Sequence, residues 1–274
     1  MARTTLYVIP ASHPSMTARL MLERKGIEYR RVDLLPAIHK PILWALRFET
    51  VTVPALKIHG RRIQGSRNIS HALEELQSEP RLFPQEGPER AAVEEAERWG
   101  DEILQPTARR LSWWLLRRDH STIGTFLEGA RIGLPHGVAV RTAAPIVWAS
   151  ARINGANDDS ARPDLAALPA MLDKIDGWID AGVIGRAEPN AADFQIAPSV
   201  RLLLCFEDYT PSIRDRPAGE LAMRVVPHYP GRVPPVAPPD WLEPLRSRAP
   251  ALSTSDFVSS RSESPASRSS RNVS

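Results

Sequence analysis

The sequence is poor in cysteine, with Cys205 as its only thiol among 274 residues. One cysteine excludes an intrachain disulfide, a CxxC redox pair and a zinc site built from several thiolates. Any thiol chemistry at this chain must therefore use a sulfur that a substrate brings. Cys205 lies in an apolar helical pattern and is predicted to be a buried packing residue.

The sequence also lacks long apolar runs and a large excess of charge of one sign. No stretch of about 18 apolar residues exists to span a membrane, and Met1–Leu6 lacks the apolar core of a secretory signal. We therefore expect a cytoplasmic protein without a membrane partner. The formal charge of +3 comes from basic residues spread among 32 acidic ones, which argues against nucleic acid. The histidines show no metal-ligand spacing, so no metal is expected.

Residues 1–78 alternate strand and helix patterns. Strands are predicted at Leu6–Ile9, Tyr29–Leu34, Pro54–Ile58 and Arg62–Gln64, and helices at Met16–Lys25, at His39–Phe48 and from Ser66 onward. The pair His59-Gly60 suits a tight hairpin turn, because glycine tolerates positive φ. The order is a βαβ unit, a β-hairpin and a helix, which predicts an α/β thioredoxin-like domain.

The rest of the chain is predicted to differ in class. Residues 79–88 are proline-rich and form a linker, and residues 89–230 show only helical patterns, so we expect an all-α helical-bundle domain. Its first long helix is expected to kink or split at Pro106, which lacks a backbone donor. Residues 231–274 are rich in proline, serine and arginine, a composition typical of a disordered tail.

Ser12-His13-Pro14-Ser15 lies between the first strand and the first helix. A helix N-terminus presents unpaired amides and partial positive charge, so a ligand anion such as a thiolate is stabilised there. Ser12 or Ser15 can equally serve as a simple helix cap, which is the commoner use of serine at this position. The residues alone leave both readings open.

Two later segments complete the pattern. Val53-Pro54 opens the third strand and is a candidate cis peptide, which would let the Val53 main chain pair with an extended ligand; an ordinary edge-strand proline is the alternative. In Gln64-Gly65-Ser66-Arg67, Ser66 can cap the next helix or, with its free amides, hold a carboxylate beside the Arg67 cation.

Taken together, these segments resemble the glutathione site of the glutathione S-transferase superfamily, especially its serine-type, bacterial-like classes. The resemblance implies that Ser12 is the catalytic hydroxyl that hydrogen-bonds the thiol. It also implies that Val53, before a cis Pro54, pairs with the cysteinyl backbone, and that Ser66, with Arg67 beside it, holds the γ-glutamyl carboxylate. In the second half, Asn190-Ala191-Ala192-Asp193 is similar to the capping box of a buried helix in this family.

The resemblance implies a transferase in which glutathione is the co-substrate and a hydrophobic electrophile is the second partner, a detoxification chemistry carried out by a homodimer. One departure is Gly65, which stands where the family has an acid that contacts the glutathione amine, so Gln64 must substitute for it. A different low-molecular-weight thiol is the alternative co-substrate. The alternatives are a non-catalytic binding protein, favoured by Gly65, and a thiol-dependent isomerase, dehalogenase or reductase on the same fold.

Overall fold

The computed structural model describes residues 4–36, 38–131, 136–141 and 143–246. The first domain contains four strands and three helices. They are β1 (Thr5–Val8), α1 (His13–Arg24), β2 (Arg30–Asp33), α2 (His39–Ala45), β3 (Ala55–Ile58), β4 (Arg61–Gln64) and α3 (Ser66–Leu76). The sheet order is β2-β1-β3-β4, with β1 parallel to β2 and antiparallel to β3. The predicted thioredoxin-like arrangement is confirmed.

Local sequence explains most of this domain. β1 is buried along its whole length, which accounts for its continuous apolar run. The turn between β3 and β4 uses His59 and Gly60, which both have positive φ, 47° and 81°. Such a pair closes a two-residue hairpin whose twist matches the flanking strands. The register that follows pairs Leu56 with Ile63 on the core side.

The regular elements of the second domain, among its described residues, are helices joined by turns, with one isolated bridge between Phe206 and Val233. Its helices are α4 (Gly87–Trp99), α5 (Gln105–Arg118), α6 (His136–Arg141), α7 (Ala143–Ile153), α8 (Asp158–Asp180), α9 (Ala191–Leu203), α10 (Thr210–Ile213), α11 (Pro217–Val225) and α12 (Glu243–Arg246). The predicted all-α class is confirmed. No helix of the described ranges combines the length and apolarity that crossing a membrane requires.

The interruption expected near Pro106 takes the form of a π-helical turn. This turn, Gly100–Leu104, joins α4 directly to α5, and the Gln105 amide bonds to the Gly100 carbonyl. Pro106 has no N–H, and its ring would collide with the carbonyl four residues earlier in a regular α-helix. Widening the preceding turn relieves that conflict. The turn also carries Asp101, which contacts the first domain.

Helix α9 is the centre of the second domain and packs on α1 of the first. It begins with the predicted capping box: the Asn190 side chain accepts from the Asp193 amide at 3.2 Å, and the Asp193 carboxylate accepts from the Asn190 amide at 2.9 Å. Asp193 also accepts from the Gly185 amide at 2.7 Å. Cys205, just beyond α9, is buried as predicted.

Residues 231–246 correct the expectation of a disordered tail from position 231. The Val233 amide donates to the Cys205 carbonyl at 2.8 Å, and Val233, Leu242 and Leu245 are buried. Trp241 stacks on Trp114 with ring centroids 5.2 Å apart. These apolar residues, separated by prolines, bury enough surface to order the segment. The remainder of the expected tail, residues 247–274, lies outside the described residues.

Candidate functional site

Ser12 is the N-cap of α1. Its backbone is extended, with φ −74° and ψ 116°, and its Oγ accepts from the Ser15 amide at a long 3.4 Å. Among the described residues no acceptor takes the Ser12 hydroxyl proton. The side chain is half-buried. Ser12 therefore has a free donor at the positive end of a helix, which is what binding an anion requires.

Ser12 opens into a cavity of about 650 Å³ between α1 and the segment after α11, here called the α1 cavity. Residues from β1 and the turn after it, one side of α1, and the segment 226–230 line it: Val8, Ile9, Pro10, Ala11, Ser12, Ser15, Met16, Arg19, Leu20, Glu23, Arg31, Glu128, Gly129, Arg201, Val226, Pro227, His228, Tyr229 and Pro230. The cavity thus joins the predicted thiol position to the second domain.

Tyr229 holds the turn before Ser12 in place. Its hydroxyl donates to the Ala11 carbonyl at 2.6 Å, across 218 positions of the sequence. Burial raises the pKa of Tyr229 well above its usual value, so the phenol stays protonated and remains a donor. Ala11 has a φ of 54°, in the left-handed region, and the Tyr229 bond helps to keep it there.

The Val53–Pro54 peptide is cis, which confirms the candidate. The Pro54 carbonyl accepts from the Gly65 amide at 3.1 Å and so ties this loop to the start of α3. No hydrogen bond within the described residues engages the main-chain N–H or C=O of Val53. An extended ligand can therefore pair with Val53 as an added strand.

The side chain of Gln64 forms hydrogen bonds within the protein. Its Nε2 donates to the carbonyls of Thr50 and Thr52 at 2.8 and 3.0 Å, and its Oε1 accepts from the Thr50 amide at 2.7 Å. With both donors and one lone pair occupied, Gln64 holds the loop that leads to Val53. One Oε1 lone pair is left, so contact of Gln64 with a ligand amine stays a prediction.

Gln64 and Arg67 line a second cavity, here called the α3 cavity, of about 740 Å³. Its walls come from the loop 49–52, β4 and one side of α3: Glu49, Thr50, Thr52, Arg61, Arg62, Ile63, Gln64, Gly65, Arg67, Asn68, His71, Ala72 and Glu75. Arg67 Nε lies 3.7 Å from Glu97 Oε2 without a hydrogen bond, and its Nη1 lies 4.0 Å from Glu102 Oε1. Arg67 therefore already has carboxylate neighbours, and its contact with a ligand carboxylate stays a prediction.

Ser66 is the first residue of α3, but its side chain faces the second domain. It is 1% exposed, and its hydroxyl donates to Asp101 Oδ1 at 3.4 Å while accepting from Gln105 Nε2 at 3.5 Å. This corrects the expectation that the Ser66 hydroxyl faces a ligand. The α3 amides beside Gly65 are the remaining candidates to hold a carboxylate at this position.

Gln105 connects the two helix N-termini. Its carbonyl lies 3.2 Å from His13 Nε2, and since a carbonyl only accepts, Nε2 carries the proton. Burial, and then the Arg109 charge, lower the pKa of His13 well below its usual value, so the ring is neutral. Arg109 Nη2 donates to Gln105 Oε1 at 2.7 Å. Burial raises the pKa of Asp101.

The structure therefore divides the predicted site. Ser12 lies in the α1 cavity, Gln64 and Arg67 lie in the α3 cavity, and Val53, Pro54 and Ser66 line neither of these two. Within the described residues, no group of three or more His, Cys, Asp and Glu side chains is placed to hold a metal ion.

Sequence reasoning missed four residues of this region, namely Asp101, Gln105, Arg201 and Tyr229. All four reach the first domain or its cavity from the second, so no local pattern marks them. Pro106 is the sequence feature that could have indicated two of them, because the helix interruption that it causes lies at Asp101 and Gln105.

Comparison with known proteins agrees with this architecture. The family model described as glutathione S-transferase, N-terminal domain, matches residues 6–81. A search of curated proteins finds no match. A glutathione S-transferase structure from Rhodospirillum rubrum F11 is 18% identical, with a TM-score of 0.53 over 88% of this chain and 99% of that chain.

Two further solved structures have the same fold. A glutathione S-transferase from Sinorhizobium meliloti 1021 is 19% identical, with a TM-score of 0.53 over 92% of this chain and 95% of that one. Glutathione transferase F7 from Populus trichocarpa is 15% identical, with a TM-score of 0.57 over 89% and 98%. Residues 6–81 thus match the glutathione S-transferase N-terminal domain model, and the described chain has the same two-domain fold as these solved structures.

Proposed function

We propose that this protein is a glutathione S-transferase-like enzyme that activates a low-molecular-weight thiol, glutathione by family resemblance, at Ser12. The observation that carries the proposal is the free Ser12 hydroxyl at the N-terminus of α1, facing an open cavity. Val53 supports it with an unpaired main chain next to a cis proline. The α3 amides and Arg67 supply the complementary positive end for a ligand carboxylate.

The proposed chemistry is attack of the thiolate on an electrophilic carbon in the α1 cavity. Ser12 donates a hydrogen bond to the sulfur, and the α1 dipole favours its negative charge. A free thiol has a pKa of about 8.5, so lowering it by one to two units makes the sulfur largely ionised near neutral pH. With an aryl chloride, a carbon–sulfur bond forms, chloride leaves, and the thiol proton passes to solvent.

Replacing Ser12 with Ala tests this role. Turnover of chlorodinitrobenzene with glutathione, measured at a pH of about 6, should fall about ten- to hundred-fold, following the lost thiolate fraction. The substitution also removes a helix cap worth about 1 kcal/mol. Asn157→Ala is the matched control, because Asn157 caps α8 by accepting from the Ser160 amide at 3.0 Å, outside the α1 cavity. Equal turnover in both variants would refute the role of Ser12.

The second candidate is a binding protein that keeps the fold without the activity. The internal hydrogen bonds of Gln64 and Ser66 favour it, since two groups predicted to hold the thiol substrate are occupied. Retention on immobilised glutathione without conjugation of chlorodinitrobenzene would support this function. Conjugation that depends on Ser12 would exclude it.

Family resemblance supplies the remaining proposals. We propose that the protein acts in the cytoplasm as a homodimer and that its chemistry is detoxification of electrophiles. Sedimentation equilibrium tests the dimer: a single species of 30.4 kDa across the concentration range would contradict it.

A further inference from the structure

The α1 cavity combines apolar side chains with three arginines. Met16 and Leu20 from α1 supply apolar surface, while Arg19, Arg31 and Arg201 supply positive charge. An electrophile bound here would contact both kinds of group. An arginine that has no carboxylate partner within the protein can bind an anionic substrate, so the ion pairs of the three arginines decide which substrates the cavity accepts.

Two of these arginines already have carboxylate partners. Arg19 Nη2 lies 3.7 Å from Glu23 Oε1, and Arg31 Nε lies 2.5 Å from Asp33 Oδ1. Arg201 differs, because no carboxylate of the described residues forms an ion pair with it. A partly buried guanidinium without a counterion is a costly arrangement unless an anion from outside completes it.

The groups around Arg201 do not supply that anion. Its Nε donates to the Val226 carbonyl at 3.2 Å, and its Nη1 lies 4.0 Å from Cys205 Sγ. Burial raises the pKa of the Cys205 thiol to about 12 and that of Tyr229 well above its usual value, so both stay neutral. Glu128 lines the cavity but is exposed and does not pair with Arg201.

We infer that Arg201 is a specificity-determining residue of the α1 cavity and that the electrophile brought to Ser12 carries a carboxylate beside an apolar body. This inference rests on the proposed function and names its substrate class. The guanidinium offers a planar set of N–H donors that matches a carboxylate. No hydrogen bond of the described residues engages Arg201 Nη2, while Nε donates to the Val226 carbonyl. Arg201 thus positions the anionic end of the substrate, and Ser12 serves the sulfur.

Binding without turnover tests the inference independently of catalysis. Calorimetric titration of the full chain, without thiol, compares chlorodinitrobenzoate with neutral chlorodinitrobenzene. Arg201→Gln should weaken binding of the benzoate at least about ten-fold and leave the neutral compound unchanged. Arg201→Lys loses the Nε bond to Val226 and the planar set of donors but keeps the charge, so it should lose less benzoate affinity than Arg201→Gln.

Three other outcomes overturn the inference, and a fourth bears on the proposed function alone. Equal losses in the Gln and Lys variants would mean that Arg201 only supports the segment 226–230. Equal losses of affinity for the benzoate and for neutral chlorodinitrobenzene would mean that the substitution collapses the cavity. A loss for glutathione but not for the benzoate would assign Arg201 to the carboxylate of the thiol substrate. Absent conjugation with either compound, alongside charge-dependent benzoate binding, would instead sink the proposed enzymatic function and leave the anion site standing.

Discussion

His13 of the first domain meets Gln105 of the second through a hydrogen bond of 3.2 Å between Nε2 and the main-chain carbonyl. His13 directly follows Ser12, and the Gln105 side chain reaches Ser66. Because the same residue touches the first turns of α1 and α3, the second domain fixes the spacing of the two helix N-termini.

Stability should depend on pH through His13. Its pKa is lower in the folded than in the unfolded protein, so its contribution is complete above the unfolded value of about 6.5 and is lost as the pH falls below it. Denaturant unfolding between pH of about 7.5 and 5 should show a steeper loss for the wild type than for His13→Asn. Parallel curves would show that His13 does not carry this dependence.

Gly65 should resist substitution for conformational reasons. Its φ is 84°, and a Cβ there would meet nothing nearer than Asn68 Nδ2 at 3.8 Å, so space is available but the backbone is unfavourable. We expect Gly65→Ala to lower the free energy of unfolding by about 1–2 kcal/mol. Gly177→Ala, in the interior of α8 with an ordinary φ and open space, should raise it by up to about 1 kcal/mol. A change of the same sign in the free energy of unfolding for both variants would contradict this explanation.

Tyr229 should affect the site as well as stability. Tyr229→Phe removes the bond to Ala11 and should lower the free energy of unfolding by about 1 kcal/mol. Conjugation should also weaken several-fold, because the turn before Ser12 loosens. Tyr209→Phe provides the comparison, since Tyr209 donates to the Leu111 carbonyl at 3.4 Å and does not line the α1 cavity. Identical kinetics for the two variants would argue against a positioning role.

The ordered segment 231–246 should depend on Trp241. Its ring stacks on Trp114 and lies under Arg162, whose Cζ is 3.9 Å from the ring centroid. Trp241→Ala should lower the free energy of unfolding by about 1–3 kcal/mol and speed amide exchange in this segment. Trp148→Ala removes a side chain that is 58% exposed and should change stability by less than about 0.5 kcal/mol. Unchanged exchange in the Trp241 variant would show that the segment is held by other contacts.

Features of the fold that depend on local chemistry were predictable from the sequence. The hairpin at His59-Gly60 needs only a positive φ, and the start of α9 needs only the Asn190–Asp193 pair. The order of β1, α1 and β2 was likewise predictable, although β1 begins and ends one residue earlier than expected. Short-range geometry fixes such elements, so one sequence suffices.

The site was less predictable because its side chains can form hydrogen bonds with residues that are distant in the sequence. Ser66 was expected to meet a ligand, but Asp101, 35 positions away, accepts its proton. Gln64 was expected to reach an amine, and its amide also bonds to the Thr50 loop, which no sequence pattern indicated. Arg201 and Tyr229 enter the α1 cavity only because α9 and the segment after α11 pack beside α1. No spacing in the sequence encodes those contacts.

We propose that Ser12 and the N-terminus of α1 stabilise a thiolate. The test is the ultraviolet thiolate absorbance of glutathione bound to the protein, followed against pH. The thiol pKa in the wild type should lie one to two units below the free value of about 8.5. Ser12→Ala should move it back toward the free value. A bound thiol that titrates like free glutathione, or that is unchanged in Ser12→Ala, would contradict the claim.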